Sequence, residues 1–177
     1  LQKILGPPVI LALIVIFPTI KYQLKNFKWQ DPAMLSLWSS IIVFIIGAIL
    51  GGFVDGTDTR TPAHYHGVIG GINLAFVGLF YAVFMPMLGR KLIAGKIVTI
   101  QIILYASGQL LFIIGMFLAG GMGASRKVMG TAIDMDSSIA IFAARIRDFG
   151  GALAIFGGVL FIYIALKTLL KQRKEEV

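Results

Sequence analysis

The sequence has no cysteine, two histidines and eight acidic residues among its 177 positions. The lack of cysteine excludes disulfides, thiolate-bound iron–sulfur clusters, covalent c-type haem attachment and thiolate-bridged copper within this chain. Any metal ion bound here must therefore use histidine, methionine, carboxylate or main-chain oxygen as its ligands.

Apolar residues dominate what is present. They make up 58% of the chain, and the mean hydropathy is +0.89, which is typical of an integral membrane protein. The net charge is +8, but the basic residues lie in short clusters between apolar runs. This is the pattern of the positive-inside rule, so we exclude nucleic acid as a partner.

The apolar runs predict an all-α bundle of about five transmembrane helices, because a helix needs about 20 apolar residues to cross the hydrocarbon core. No internal repeat or linker divides the chain, so residues 1–177 form a single predicted membrane domain. The predicted segments are 4–21, 34–53, 62–88, 97–120 and 138–170.

Two segments carry helix start signals. Thr61 followed by Pro62 predicts a cap residue and a first-turn proline for the third segment. Asp134, Asp136, Ser137 and Ser138 form a cluster of cap residues before the fifth.

Loop charges predict the orientation. Basic clusters follow segments one, three and five (Lys21, Lys25, Lys28, Arg90, Lys91, Lys96, Lys167, Lys171, Arg173 and Lys174). By the positive-inside rule this side, which includes the C-terminus, is cytoplasmic. The predicted location is the inner membrane of a prokaryote.

Both histidines belong to one triplet, His64-Tyr65-His66, at the outer start of the third segment. Side chains two residues apart on an α-helix point about 200° away from each other. The two imidazoles therefore cannot share one metal ion, but each can ligate a different iron, and an intramembrane histidine is a functional candidate by default. The pattern favours two haems beside one helix. The alternative is a pair of hydrogen-bonded structural histidines.

The triplet and four further runs resemble the C-terminal five of twelve helices in subunit I of the haem–copper oxygen reductases. Ala63-His64-Tyr65-His66 resembles that family's bis-haem motif, and residues 17–21, 28–35, 109–112 and 121–127 resemble neighbouring stretches in the same order. The resemblance covers nearly the whole chain.

The resemblance implies an enzyme: a terminal respiratory oxidase that reduces oxygen to water, with proton translocation. His64 would ligate the high-spin, oxygen-binding haem and His66 the low-spin haem, with Tyr65 between the two haem planes. Arg126 and Lys127 would bind haem propionates. Copper and the second low-spin ligand would come from a partner segment, the remaining N-terminal part of the core, and electrons from a cytochrome, another donor subunit or quinol.

The alternatives are a nitric oxide reductase, a di-haem electron-transfer subunit without oxygen chemistry, and a transporter in which the triplet is accidental. The resemblance also suggests a proton path at Thr19 and Lys21. Lys21 follows Pro18 by three residues where the family's lysine follows by four, so a lysine that snorkels to the interface is the favoured explanation.

Two further sets of polar residues carry predictions. Gln101, Tyr105 and Gln109 share one helical face, and we expect hydrogen bonds across helices rather than a proton path. Near the start of the fifth segment, Arg145, Arg147 and Asp148 predict a local ion pair.

Overall fold

The protein is described by a computed structural model covering residues 14, 18, 31–54, 56–92, 95–124 and 138–173. These residues form helices and connecting turns, with no β-strand among them. The helices are α1 (Pro32–Leu50), α2 (Arg60–Leu79), α3 (Lys96–Gly121) and α4 (Ser138–Arg173).

All four helices, with the turns that extend α1 and α2, are long and apolar enough to cross a membrane. The chain is therefore an integral membrane protein with an all-α fold, as its composition predicts. The second to fifth predicted segments correspond to α1–α4. The first predicted segment, 4–21, lies outside the described residues except for Ile14 and Pro18.

The start of α1 follows ordinary capping rules. The Asp31 carboxylate accepts hydrogen bonds from the backbone N–H groups of Ala33 and Met34, and Pro32 occupies the first helical position. An aspartate before a proline satisfies amide groups that have no partner within the helix. A 3₁₀ turn, Gly51–Phe53, follows the helix.

The predicted start of α2 was wrong. The helix begins at Arg60 rather than Pro62, and the Thr61 hydroxyl is buried without a hydrogen-bond partner among the described residues. Asp58 has the capping role instead, because its carboxylate accepts from the Arg60 backbone N–H at 2.8 Å. The same carboxylate pairs with the Arg60 guanidinium. Asp58, and not Thr61, therefore caps the start of α2.

Near its other end, α2 widens into a π-helical turn, Phe80–Phe84, before the final turn Met85–Met87. Pro86 has no backbone N–H and cannot donate to the carbonyl of Ala82, as a regular α-helix would require. The Met85 N–H donates to the Phe80 carbonyl, five residues back. Such turns often occur at functional positions.

Neighbouring helices run antiparallel and pack on glycines. A Cβ atom built on Gly67 would lie 2.5 Å from the Gly47 Cα atom, so these residues let the α1 and α2 backbones touch. In the same way Gly108 packs against Ala154, and Gly115 against the Arg147 backbone, between α3 and α4. Packing is closest within the pairs α1–α2 and α3–α4, and α2 joins the pairs through α3.

The core also contains a polar link. The buried Tyr81 hydroxyl donates to Gln101 Oε1 at 2.9 Å, and Gln101 Nε2 donates to the Gly157 carbonyl at 3.2 Å. This bridge joins α3 to α4 and to the π-helical turn that extends α2. It confirms the expected cross-helix hydrogen bonding for Gln101.

Candidate functional site: the His64–His66 pair

α2 presents the histidine triplet with Tyr65 pointing away from the bundle. Tyr65 is 51% exposed and begins an exposed stripe along α2 that continues through Ile69, Ile72 and Phe76. Consecutive residues differ by about 100° around the helix, so His64 and His66 lie on either flank of this stripe. The structure therefore places the two imidazoles toward different neighbouring helices.

His64 lies on the α1 side. Its Nδ1 atom is 2.8 Å from the carbonyl oxygen of Gly47. Because a carbonyl oxygen only accepts, this hydrogen bond places the proton on Nδ1 and leaves the lone pair on Nε2. A metal-ligating histidine typically donates its other ring N–H to such a group, which fixes the tautomer and the ring orientation.

Gly51 makes room for the same ring. A Cβ atom at this position would lie 2.7 Å from both Cε1 and Nδ1 of His64, too close for a real contact. At Gly52, the next residue, a Cβ atom would meet nothing within 4 Å. The glycine at position 51 is therefore needed for the observed orientation of the imidazole, whereas the one at 52 is not.

His66 lies on the α3 side. Its ring packs against Phe112 with the ring centroids 4.9 Å apart and the planes at 88°, an edge-to-face arrangement. The side chain is otherwise exposed at the bundle surface. The Tyr65 ring is tilted against that of His64, with centroids 5.4 Å apart, and separates the two flanks.

The end of α2 that carries the triplet is fixed to the end of α3. The Thr59 hydroxyl donates to the Met116 carbonyl at 2.7 Å, and the Thr59 backbone N–H donates to the Ala124 carbonyl at 3.1 Å. Arg60 packs against Gly120, where a Cβ atom would collide with its backbone nitrogen. These contacts fix the position of His64 and His66 along the axis of α3.

Several predicted site residues lie outside the described residues: Arg126, Lys127, Thr19 and Lys21. The contact between Thr59 and Ala124 nevertheless shows that α3 ends beside the start of α2. The end of α3, which precedes Arg126 and Lys127 in the sequence, thus lies at the same end of the bundle as the histidines.

The other polar predictions have separate outcomes. Asn73 Nδ2 donates to the Tyr105 hydroxyl at 3.1 Å, which confirms a second cross-helix bond. The Gln109 amide packs against Gly70, and its Oε1 atom is buried with no hydrogen-bond partner in the described part of the chain. Arg147 pairs with Asp148 at 2.8 Å, which confirms the expected local ion pair.

Sequence reasoning missed the residues that orient the two imidazoles. The Gly47 carbonyl, the space at Gly51 and the Phe112 ring all come from other helices, and no local spacing connects them to the triplet. The one available signal was the glycine content of α1, which indicates close approach without identifying what approaches.

No family model matches the chain. It is 30% identical over 156 residues to an uncharacterized protein of Rickettsia prowazekii, an alignment that covers 82% of this chain and 30% of that protein. It is 35% identical over 83 residues to an uncharacterized protein of Aquifex aeolicus, covering 45% of this chain and 21% of that protein. The chain thus matches less than a third of the length of either relative.

Proposed function

We propose that this chain is the C-terminal part of the subunit I-like core of a haem–copper terminal oxidase, in which His64 and His66 each ligate the iron of a different haem. The observation that carries the proposal is the hydrogen bond from His64 Nδ1 to the Gly47 carbonyl at 2.8 Å. It prepares Nε2 as a ligand in the way that metal-binding histidines require.

The placement of His66 is the second support. It lies on the opposite flank of α2 from His64, against Phe112, so two flat macrocycles can approach the helix without meeting each other. Tyr65 lies between the flanks, and its exposed ring suits contact with a macrocycle on either side. In the proposal His64 serves the high-spin haem and His66 the low-spin haem.

Bound haem iron would supply one-electron redox chemistry and a coordination position for oxygen. The residues of this chain would orient the ligating histidines and shield the site from water. The Gly47 carbonyl holds the His64 ring, and the apolar stripe along α2 keeps water away from that flank. Arg126 and Lys127, which follow the end of α3 near the triplet, would neutralise haem propionates through charge-assisted hydrogen bonds.

The rest of the site would come from outside this chain. Both of its histidines are assigned, so in this proposal the copper ligands and the second low-spin ligand belong to the remaining N-terminal part of the core. The greater length of the two bacterial relatives is consistent with such a part. Electrons would arrive from a cytochrome, another donor subunit or quinol.

The charge distribution supports an orientation within the bacterial cytoplasmic membrane. Arg90 and Lys91 follow α2 at the end of the bundle opposite Asp58, and Lys167 of the antiparallel α4 lies toward that same end. The positive-inside rule assigns this end, with the C-terminus, to the cytoplasm. In this proposal Thr19 and Lys21 would belong to a proton path, and the alternative is that Lys21 snorkels to the cytoplasmic interface.

The test is optical spectroscopy of the full-length protein purified from membranes. We expect reduced-minus-oxidised spectra with two haem signals and a CO-difference signal from one of them. His66→Ala should remove the low-spin signal and leave the CO-binding signal, and His64→Ala should do the reverse.

Retention of both signals in either variant would contradict the ligand assignment, and a wild-type protein without haem would end the proposal. Metal analysis and gas consumption decide among the related activities. Stoichiometric copper with oxygen uptake supports the oxidase, nitric oxide uptake indicates the reductase, and haem without either activity indicates an electron-transfer subunit.

A further inference from the structure

A groove of about 350 Å³ opens beside α2, on the side facing α3 and α4. Its walls are mostly aromatic rings, contributed by Phe76, Phe80, Phe84 and Phe161. Phe80 packs against Phe161 with centroids 5.1 Å apart and against Phe84 at 6.3 Å. Groove volumes in this range, lined by apolar and aromatic side chains, are typical of small-molecule sites.

The π-helical turn shapes the groove. Phe80 and Phe84 are the first and last residues of that turn, and Pro86, which cannot donate to the Ala82 carbonyl, follows it. Because its hydrogen bond spans five residues instead of four, the turn rotates these rings relative to a continuous α-helix. The aromatic wall therefore depends on an irregularity of α2 as well as on its composition.

A polar pair lies in the same groove. Asn73 stands midway along the membrane span Arg60–Met87, and its Nδ2 atom donates to the Tyr105 hydroxyl at 3.1 Å. Both side chains line the groove. The Tyr105 oxygen accepts this bond, so within the described part of the chain its own proton, like the second N–H of Asn73, remains available to an acceptor.

Polar hydrogens facing the hydrocarbon core are costly unless they are bonded. The depth of the pair restricts what can bond them. Phospholipid headgroups stay about 15 Å from the centre of a 30 Å hydrocarbon core, so they do not reach the pair, whereas an uncharged molecule dissolved within the membrane does.

We propose that this groove binds a neutral, membrane-dissolved molecule with a flat, carbonyl-bearing ring and an apolar tail, the chemistry of the isoprenoid quinones. A ring carbonyl accepts from Tyr105 and Asn73, and the ring packs among Phe76, Phe80 and Phe161. The site needs neither histidine, so it stands independently of the haem assignment.

The test uses the full-length protein in detergent, a short-tailed azido-benzoquinone as photolabel and decylubiquinone as competitor. We expect saturable labelling of peptides from α2 and α3, prevented by decylubiquinone. Tyr105→Phe and Asn73→Leu should each weaken competition about tenfold, because each removes one hydrogen bond to the carbonyl.

Gly158 is a position from which a larger side chain would enter the groove, because there is open space for its Cβ atom. It lines the groove, and a Cβ atom there would meet nothing within 4 Å. Gly158→Phe should abolish labelling. The matched control is Val159→Phe, at the next residue of α4 and 57% exposed outside the groove lining, which should label as the wild type does.

Absence of saturable labelling in the wild-type protein overturns the proposal, as does unchanged labelling of Gly158→Phe. Gly158→Cys adds a further check, in which labelling is read on the α4 peptide that carries position 158, since residues 1–177 contain no cysteine of their own. Reaction of this thiol with a membrane-permeant maleimide, blocked by decylubiquinone, supports an open site. A thiol that is unreactive in the folded protein and reacts only after denaturation means that another helix of the longer protein fills the groove, and the proposal fails.

Discussion

The Nδ1 atom of His64 on α2 lies 2.8 Å from the carbonyl oxygen of Gly47 on α1. This carbonyl is available at the right place because Gly47 and Gly67 bring the two backbones into direct contact. Close helix packing and imidazole orientation are thus one structural feature. A substitution at Gly47 or Gly67, which govern this packing, should therefore also change the orientation of the His64 imidazole.

Gly51→Ala should disturb the His64 ring, because the added methyl group would lie 2.7 Å from two of its ring atoms. Under the proposed function we expect roughly a 10- to 100-fold loss of haem affinity at this site, the usual cost of a lost orienting contact. CO-difference spectra of the full-length variant measure it. Gly52→Ala is the control, since its methyl group enters open space, and equal spectra for both variants would contradict the arrangement.

Gly67→Ala should destabilise the bundle by about 2 kcal/mol or more, because its methyl group would overlap the Gly47 backbone and force α1 and α2 apart. Unfolding midpoints in mixed detergent measure the effect. Gly158→Ala has the opposite expectation. Its methyl group meets no atom, and alanine is favoured over glycine inside a helix by about 0.5–1 kcal/mol. A Gly67→Ala protein as stable as Gly158→Ala would refute the packing.

Tyr81→Phe removes the donor to Gln101 inside the core, where both side chains are buried. An unsatisfied amide oxygen left in an apolar interior costs about 1–3 kcal/mol, so we expect destabilisation of that size. The same unfolding measurement applies. Tyr163→Phe, at a tyrosine that is 48% exposed, should change stability by less than about 0.5 kcal/mol. If Tyr81→Phe and Tyr163→Phe were equally stable, the hydrogen bond from Tyr81 to Gln101 would contribute nothing to the free energy of unfolding.

Asp58→Ala should fray the start of α2, because the carboxylate both caps the Arg60 N–H and pairs with its guanidinium. Loss of a cap costs about 1 kcal/mol, and loss of a negative charge at a helix N-terminus adds to it. Hydrogen exchange of peptides covering 58–66 should accelerate several-fold. Asp148→Ala, whose carboxylate is 67% exposed in its pair with Arg147, should leave exchange in its own helix nearly unchanged. Protection of 58–66 at the wild-type level would show that Asp58 is not the cap.

The sequence predicted most of the secondary structure because the signal is local. Apolar runs of membrane length placed α1–α4, with the turns that extend α1 and α2, to within three residues at their ends. The failure at Thr61 has a physical cause: a threonine before a proline is a sound start signal, but Asp58 forms a charged pair with Arg60 and reaches the first free amide. The Asp31-Pro32 start of α1 obeyed the same capping rules.

The opposite placement of His64 and His66 was also determined by the sequence, since 100° per residue is a property of any α-helix. Their environments were decided only by tertiary structure. Which imidazole meets the Gly47 carbonyl and which meets Phe112 depends on the helices that pack against each flank of α2. Helical periodicity acts over neighbouring residues, whereas these contacts join positions separated by 17 and 46 residues, and close packing between glycine-bearing backbones brings them together.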